Sequence, residues 1–121
     1  MATLYSQKIM RHYRQASNRG MVLKKARHFT GANPYCGDTI TLQVRTSRVG
    51  KITQVHWQAS GCVISQAAAS VFSEMLIGKT INQAQKIKPA LLLKKLDGAL
   101  SPNRISCALL PLFTLRQDSN Q

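Results

Sequence analysis

Thr39-Ile40-Thr41-Leu42-Gln43-Val44-Arg45, followed after a short break by Thr53-Gln54-Val55-His56-Trp57-Gln58-Ala59, is the stretch that decides the fold. In the first segment Ile40, Leu42 and Val44 alternate with Thr39, Thr41, Gln43 and Arg45. That period of two puts the apolar side chains on one face of a half-buried strand. In the second segment Thr53, Val55, Trp57 and Ala59 alternate with Gln54, His56 and Gln58. The residues from Ser47 to Gly50 supply turn chemistry, so the two strands are predicted to pair antiparallel as a hairpin. His56 falls on the polar face, where a solvated histidine is expected rather than a ligand.

Beyond Gly61 the period changes. Ile64, Ala67, Ala68, Val71 and Met75 are spaced at three and four, which predicts a helix beginning at or just after Cys62, with Gly78 as its C-terminal cap. A second helical pattern around Ile81 to Ile87 is expected to stop near Pro89. Leu91 to Leu96 reads as a further turn or two before Asp97-Gly98. Ile105 to Leu115 is apolar and helical in pattern, with Pro111 expected to kink it or mark its first turn. Upstream, Tyr5, Ile9 and Tyr13 recur every fourth position among Lys8, Arg11 and Arg14, which predicts an amphipathic helix over Leu4 to Tyr13 ending at Asn18 to Gly20. Met21 to Thr30 alternates weakly and is read as an edge strand. Strands followed by helices give an α+β domain: a small three-stranded antiparallel sheet with helices packed on one face.

The chain has 121 residues, 44% of them hydrophobic, and shows no repeat or Gly/Ser/Pro-rich linker, so a single domain over 1–121 is expected. No apolar run has the length of a signal peptide or of the roughly 20 residues that span a bilayer, which predicts a cytoplasmic protein without membrane attachment. Seventeen Lys and Arg stand against four acids, a formal net charge of +13, and the seven cations from Lys8 to Arg27 all precede the first acid, Asp38. Such a field attracts polyanions or acidic protein surfaces at a rate that falls with salt. It says nothing about fold. A nucleic-acid-binding protein with a structural zinc is the alternative this charge allows, but the sequence carries no RNP, zinc-finger or helix-turn-helix pattern, and nucleic acid is not the expected partner.

Three cysteines cannot form a fully paired disulfide framework, and a reducing cytosol disfavours pairing in any case. Cys36-Gly37-Asp38 lies just before the first strand of the hairpin, and Cys62 just after the second. The start of one strand and the end of its partner are neighbours, so Cys36, Asp38 and Cys62 are predicted to meet at one end of the sheet. Cys62 would also face the unpaired N–H groups at the start of its helix, which stabilise a thiolate. Zinc or an iron–sulfur cluster needs thiolates, and two Cys with one carboxylate leave a fourth position, for which Cys107 is the candidate. The thiols are widely scattered and no Cys-x-x-Cys pair is present, so spacing alone does not fix a ligand set.

Asn33-Pro34-Tyr35-Cys36-Gly37-Asp38, Gly61-Cys62-Val63-Ile64-Ser65, Gly78-Lys79 and Arg104-Ile105-Ser106-Cys107, taken in this order, resemble the IscU/SufU-type scaffolds, the NifU N-terminal-like family. Leu4-Tyr5-Ser6, His12-Tyr13 and Asn18-Arg19-Gly20 look like the family's first helix and the turn after it. The resemblance covers essentially the whole chain and implies a SufE/NifU-like fold. It implies a platform that accepts persulfide sulfur from a cysteine desulfurase, builds a labile [2Fe–2S] cluster and transfers it to acceptor apo-proteins. Carried over residue by residue, Cys36, Cys62 and Cys107 would be thiolate ligands, Asp38 the oxygen ligand, and Cys36 or Cys107 the persulfide acceptor. Zn2+ can occupy the same ligands, and a zinc-dependent persulfide sulfurtransferase of the SufU type is the alternative within the family.

The chain also departs from the pattern. Ser106 stands where IscU-type members have His and SufU-type members usually have a basic residue. Arg104-Ile105 looks SufU-like, whereas the separation of Cys62 from Cys107 looks IscU-like, and the resemblance does not choose between the branches. Leu100-Ser101-Pro102-Asn103-Arg104 replaces the Leu-Pro-Pro-Val-Lys segment of the IscU branch, which counts against recognition by a dedicated chaperone.

Overall fold

The computed structural model describes residues 6–34, 37–96 and 100–117. Leu4 and Tyr5, Cys36 and the Asp97-Gly98 turn, all used in the sequence reading, lie outside the described residues. A three-stranded antiparallel sheet in the order β1 (Arg27–Ala32), β2 (Thr39–Thr46) and β3 (Ile52–Ser60) forms one layer. Among the described residues five helices accompany it: α1 (Gln7–Arg14), α2 (Val63–Leu76), α3 (Ile81–Gln85), α4 (Pro89–Leu96) and α5 (Pro102–Leu115).

The hairpin follows from the alternation. Leu42 pairs with Trp57, Val44 with Val55 and Ile40 with Ala59. Phe29 joins Leu42, Val55 and Trp57 on the buried face, all four fully excluded from solvent. A register shift between Arg45 and Thr46 brings Ile52 opposite Thr46, which carries each strand one residue past its expected end near the turn. At the other end Thr39 pairs with Ser60. Asp38 and Gly61 therefore follow directly beyond the last rung.

The expected edge strand is displaced. Met21 and Val22 are exposed, and pairing begins only at Arg27, continuing to Ala32 instead of stopping at Thr30. Lys25 has a φ of 55°, which breaks extended backbone. The Leu23 amide donates to the buried Gln43 side chain (2.7 Å) instead of to a ladder partner.

Helix α2 is the central helix, with Ala67, Ala68, Ala69, Phe72 and Leu76 fully buried and contacts to α1, α4, α5 and β3. Its small residues let helices approach closely on more than one side. Gly78, at φ +87°, ends it as expected, and the Gly78 and Ile52 amides then bond across to Ile52 and Lys79 carbonyls. Ser6 caps α1, accepting from the Ile9 amide (3.2 Å) and donating to the Leu96 carbonyl (3.1 Å), which ties α1 to α4. On α1 the buried residues are Ile9 and His12, with Tyr13 half-buried.

The pattern from Ile81 stops before Pro89 as expected, with α3 ending at Gln85, and Pro89 opens α4 two residues ahead of Leu91, since a first-turn proline gives up an amide that has no helical partner. Helix α5 begins at Pro102, not Ile105, capped by Ser101, whose hydroxyl accepts from the Arg104 amide (3.4 Å). Pro111 lies inside that helix, and the turns on either side of it are buried from Cys107 to Leu112. Burial of this apolar run against α2 and β1 offsets the ladder bond that Pro111 cannot donate. Among the described residues no helix is long and apolar enough to cross a membrane.

Candidate metal centre

The loop from β1 to β2 is closed by two backbone bonds, Gly37 N–H to the Asn33 carbonyl and Asn33 N–H to the Asp38 carbonyl, both 2.8 Å. They hold Asp38 just ahead of β2, with its side chain only 3% exposed. Gly61 leaves β3 at φ +144° and passes against that carboxyl group. A Cβ on Gly61 would lie 2.2 Å from Asp38 Oδ1, so the carboxyl group occupies the volume that glycine leaves empty.

Cys62 is the N-cap of α2. Its amide donates to Asp38 Oδ1 (3.3 Å), and its Sγ lies 3.4 Å from Asp38 Oδ2. Ser65, one turn along the same helix and buried, donates from Oγ to Asp38 Oδ2 and sits 3.6 Å from Cys62 Sγ. The first turn of α2 and the end of the hairpin thus hold the carboxyl group from two directions.

Cys107 arrives from α5, whose packing against α2 and β1 carries a thiol distant in sequence to the same end of the sheet. It is buried. Asn33 Nδ2 donates to Ser106 Oγ (3.1 Å) and to Cys107 Sγ (3.8 Å), and Ser106 Oγ donates to the Asn103 carbonyl (2.7 Å). One ligand atom each from Asp38, Cys62 and Cys107 all fall within 4.8 Å of one another.

Around a tetrahedral metal with bonds of about 2.0–2.3 Å, neighbouring donors sit about 3.3–3.8 Å apart. The Cys62–Asp38 separation of 3.4 Å already has that size, and Cys107 needs only a small approach. Two thiols and a carboxyl group form a donor set for zinc or iron rather than for magnesium or calcium. Three of the four residues expected from the sequence are therefore brought together; the fourth, Cys36, lies outside the described residues.

Two of the three histidines are engaged elsewhere. His56 Nδ1 pairs with the Met21 carbonyl (3.1 Å), and His12 Nδ1 lies 2.8 Å from Ser70 Oγ under α2. Asn33, Gly61 and Ser65 have no role in the sequence reading, and the structure gives each a contact with a candidate ligand residue. Of these, only Gly61 had a local signal: a glycine between the end of a strand and a helix N-cap marks a close backbone approach.

Comparison with known proteins places the chain in a family. The NifU-like N terminal domain matches residues 4–118 of the chain. The iron–sulfur cluster assembly scaffold protein IscU of Buchnera aphidicola is 34% identical over 110 residues, covering 88% of this chain and 84% of the relative. That of Rickettsia prowazekii is 33% identical, covering 88% and 82%. Among solved structures, an iron–sulfur cluster assembly scaffold protein for the SUF system from Fervidobacterium islandicum superimposes with a TM-score of 0.77 at 29% identity, covering 93% of each chain. With residues 4–118 matched, and with Asp38, Cys62 and Cys107 converging at one end of the sheet, the chain belongs to the NifU-like N-terminal domain family.

Proposed function

We propose that this chain is a single-domain iron–sulfur cluster assembly scaffold, with Cys36, Asp38, Cys62 and Cys107 as the ligands of a [2Fe–2S] cluster that is its cargo. The observation that carries the reading is the convergence of Asp38, Cys62 and Cys107 from a loop, a helix N-cap and a separate helix. A buried structural thiol needs no carboxyl group beside it, and folding has brought a polar, nearly solvent-free Asp38 to the two sulfurs. The family membership and the named scaffold relatives support the same reading.

The division of labour follows from donor chemistry. Thiolates bind iron strongly, whereas a carboxylate in a thiolate shell is the hard, exchangeable member, so Asp38 makes the cargo easier to release. A cysteine desulfurase is the proposed sulfur donor. The thiolate of Cys36 or Cys107 attacks the outer sulfur of the donor's persulfide; a new S–S bond forms, the old one breaks, and the donor cysteine leaves as thiolate. Reduction of that sulfur to sulfide takes two electrons from an external electron-carrier protein. Acceptor apo-proteins then take the finished cluster.

Anaerobic incubation of the purified chain with a cysteine desulfurase, cysteine and ferrous iron tests the proposal. The expected result is a stable visible sulfur-to-iron charge-transfer spectrum that Cys62→Ser abolishes. Tightly held zinc with sulfur relay and no such spectrum would replace the scaffold by a zinc-dependent sulfurtransferase on the same residues.

A further inference from the structure

Asn33 is 5% exposed, and its amide nitrogen points at two acceptors at once: Ser106 Oγ at 3.1 Å and Cys107 Sγ at 3.8 Å. A side-chain amide nitrogen carries two hydrogens in one plane, so one can serve each acceptor. Ser106 is itself oriented, because its hydroxyl hydrogen goes to the Asn103 carbonyl at 2.7 Å and leaves an oxygen lone pair facing Asn33. Asn33 is also anchored by its backbone through the two 2.8 Å bonds that close the loop to Asp38. The amide plane is thus held by the β1–β2 loop at one end and by α5 at the other.

We propose that Asn33 is a positioning residue for the metal centre: its side-chain amide, braced by Ser106, donates an N–H···S bond that fixes the orientation and donor strength of the Cys107 thiolate. This rests on the ligand role of Cys107 given above. An N–H···S bond draws electron density from the sulfur lone pair, which lowers its donation to a metal and tunes the potential of a cluster bound through it. Ser106, adjacent to a ligand, then acts through Asn33 and not as a ligand itself. The same bond couples the loop that carries Asp38 to the helix that carries Cys107, so the two ligands hold a common geometry before metal arrives.

The test uses the 121-residue apo-protein with Co2+ and Zn2+ as probes, read by thiolate-to-cobalt charge-transfer absorption and by chelator competition. Asn33→Leu keeps the volume and removes the donor. Affinity is expected to fall on the order of tenfold or more, because losing the fixed sulfur orientation outweighs the gain in donor strength, and the charge-transfer band to move to longer wavelength, because an unbonded thiolate is easier to oxidise. Ser106→Ala should shift both in the same direction by less, and Ser106→Thr should restore them. In the Asn33→Leu background Ser106→Ala should add nothing, an outcome that a merely structural role for Ser106 would not produce.

Wild-type affinity and band position in Asn33→Leu, or an undiminished Ser106→Ala effect in that background, would overturn the proposal while leaving Cys107 a ligand. Cys107→Ser provides the distinction: if it leaves the cobalt spectrum unchanged, the ligand reading falls and this inference with it. Ser106 is only half-buried, so its Ala and Thr variants carry the test even where Asn33→Leu does not fold.

Discussion

Gly61→Ala should be far more damaging than its one added carbon suggests. The new Cβ would lie 2.2 Å from Asp38 Oδ1, 2.4 Å from Cγ and 2.8 Å from Cβ, all inside contact distance. The backbone at Gly61, φ +144°, is one that side-chain-bearing residues avoid, which costs about 1–3 kcal/mol before any clash. The carboxyl group is 3% exposed and has no solvent to swing into without leaving its contacts to the Cys62 amide and Ser65 hydroxyl. Losing even one such bond from a buried group costs about 1–3 kcal/mol more. The sum is about 2–6 kcal/mol. For a chain of 121 residues that is a fall in Tm on the order of 10 °C. Thermal unfolding of the apo-protein by circular dichroism measures it, and zinc titration should show weakened binding. The clash component can be separated from the backbone component. Asp38→Ala removes the two nearest atoms, so Gly61→Ala should cost at least about 1 kcal/mol less in that background. A Tm within about 3 °C of wild type, or single-variant effects that add to within about 0.5 kcal/mol, would refute the reasoning.

Asp38→Ala alone should hold a reconstituted cluster longer and deliver it several-fold more slowly to an apo-acceptor, followed by loss of the scaffold's visible absorption; equal half-times would remove the lability argument. His12 offers a pH test. Burial lowers its pKa below the ordinary 6.5, opposed by Glu74 and reinforced by Arg11 and Lys8. The unfolded chain then binds the proton more readily, so His12 contributes stability that is present above pH 6.5 and lost as pH falls through its lower folded value. Urea midpoints between about pH 5 and 7.5 should rise with pH in the wild type, and His12→Gln should flatten that slope; an unchanged slope would mean that the dependence lies elsewhere. Gly31→Ala should loosen α5 from β1, because its Cβ would lie 2.1 Å from Thr114 Oγ1, at a cost of about 1–3 kcal/mol. Thr114→Ala clears that atom, so the double variant should recover most of the lost Tm, and failure to recover would show that the contact is not the cause.

How much of this was legible depended on whether the signal was local. The hairpin was, because Ile40, Leu42, Val44, Val55 and Trp57 alternate without interruption and only one register buries them together. The meeting of Asp38 with Cys62 followed at once, since the last rung, Thr39 with Ser60, leaves them adjacent. The edge strand was misplaced because Phe29 is its one buried apolar side chain, and a pattern with a single apolar point has no period. The start of α5 was less legible for another reason: its apolar run begins only at Ile105, so periodicity marks nothing at the cap Ser101 and the first-turn Pro102.

The convergence of Cys107 was of a different kind. Its place is set by tertiary packing, with Leu109, Leu112 and Leu115 of α5 buried in the core that α5 forms with α2, β1, β2 and α4. A residue such as Asn33 is less legible still, because its neighbours Ser106 and Cys107 are more than seventy positions away and a single amide leaves no periodic trace. The physical consequence is an asymmetry in the site. Asp38 and Cys62 are joined by the strand ladder and the α2 N-terminus, so their geometry is as stable as the hairpin. Cys107 is placed by the packing of α5 and by Asn33, so its position at the site depends on contacts between segments far apart in the sequence, which no local pattern records.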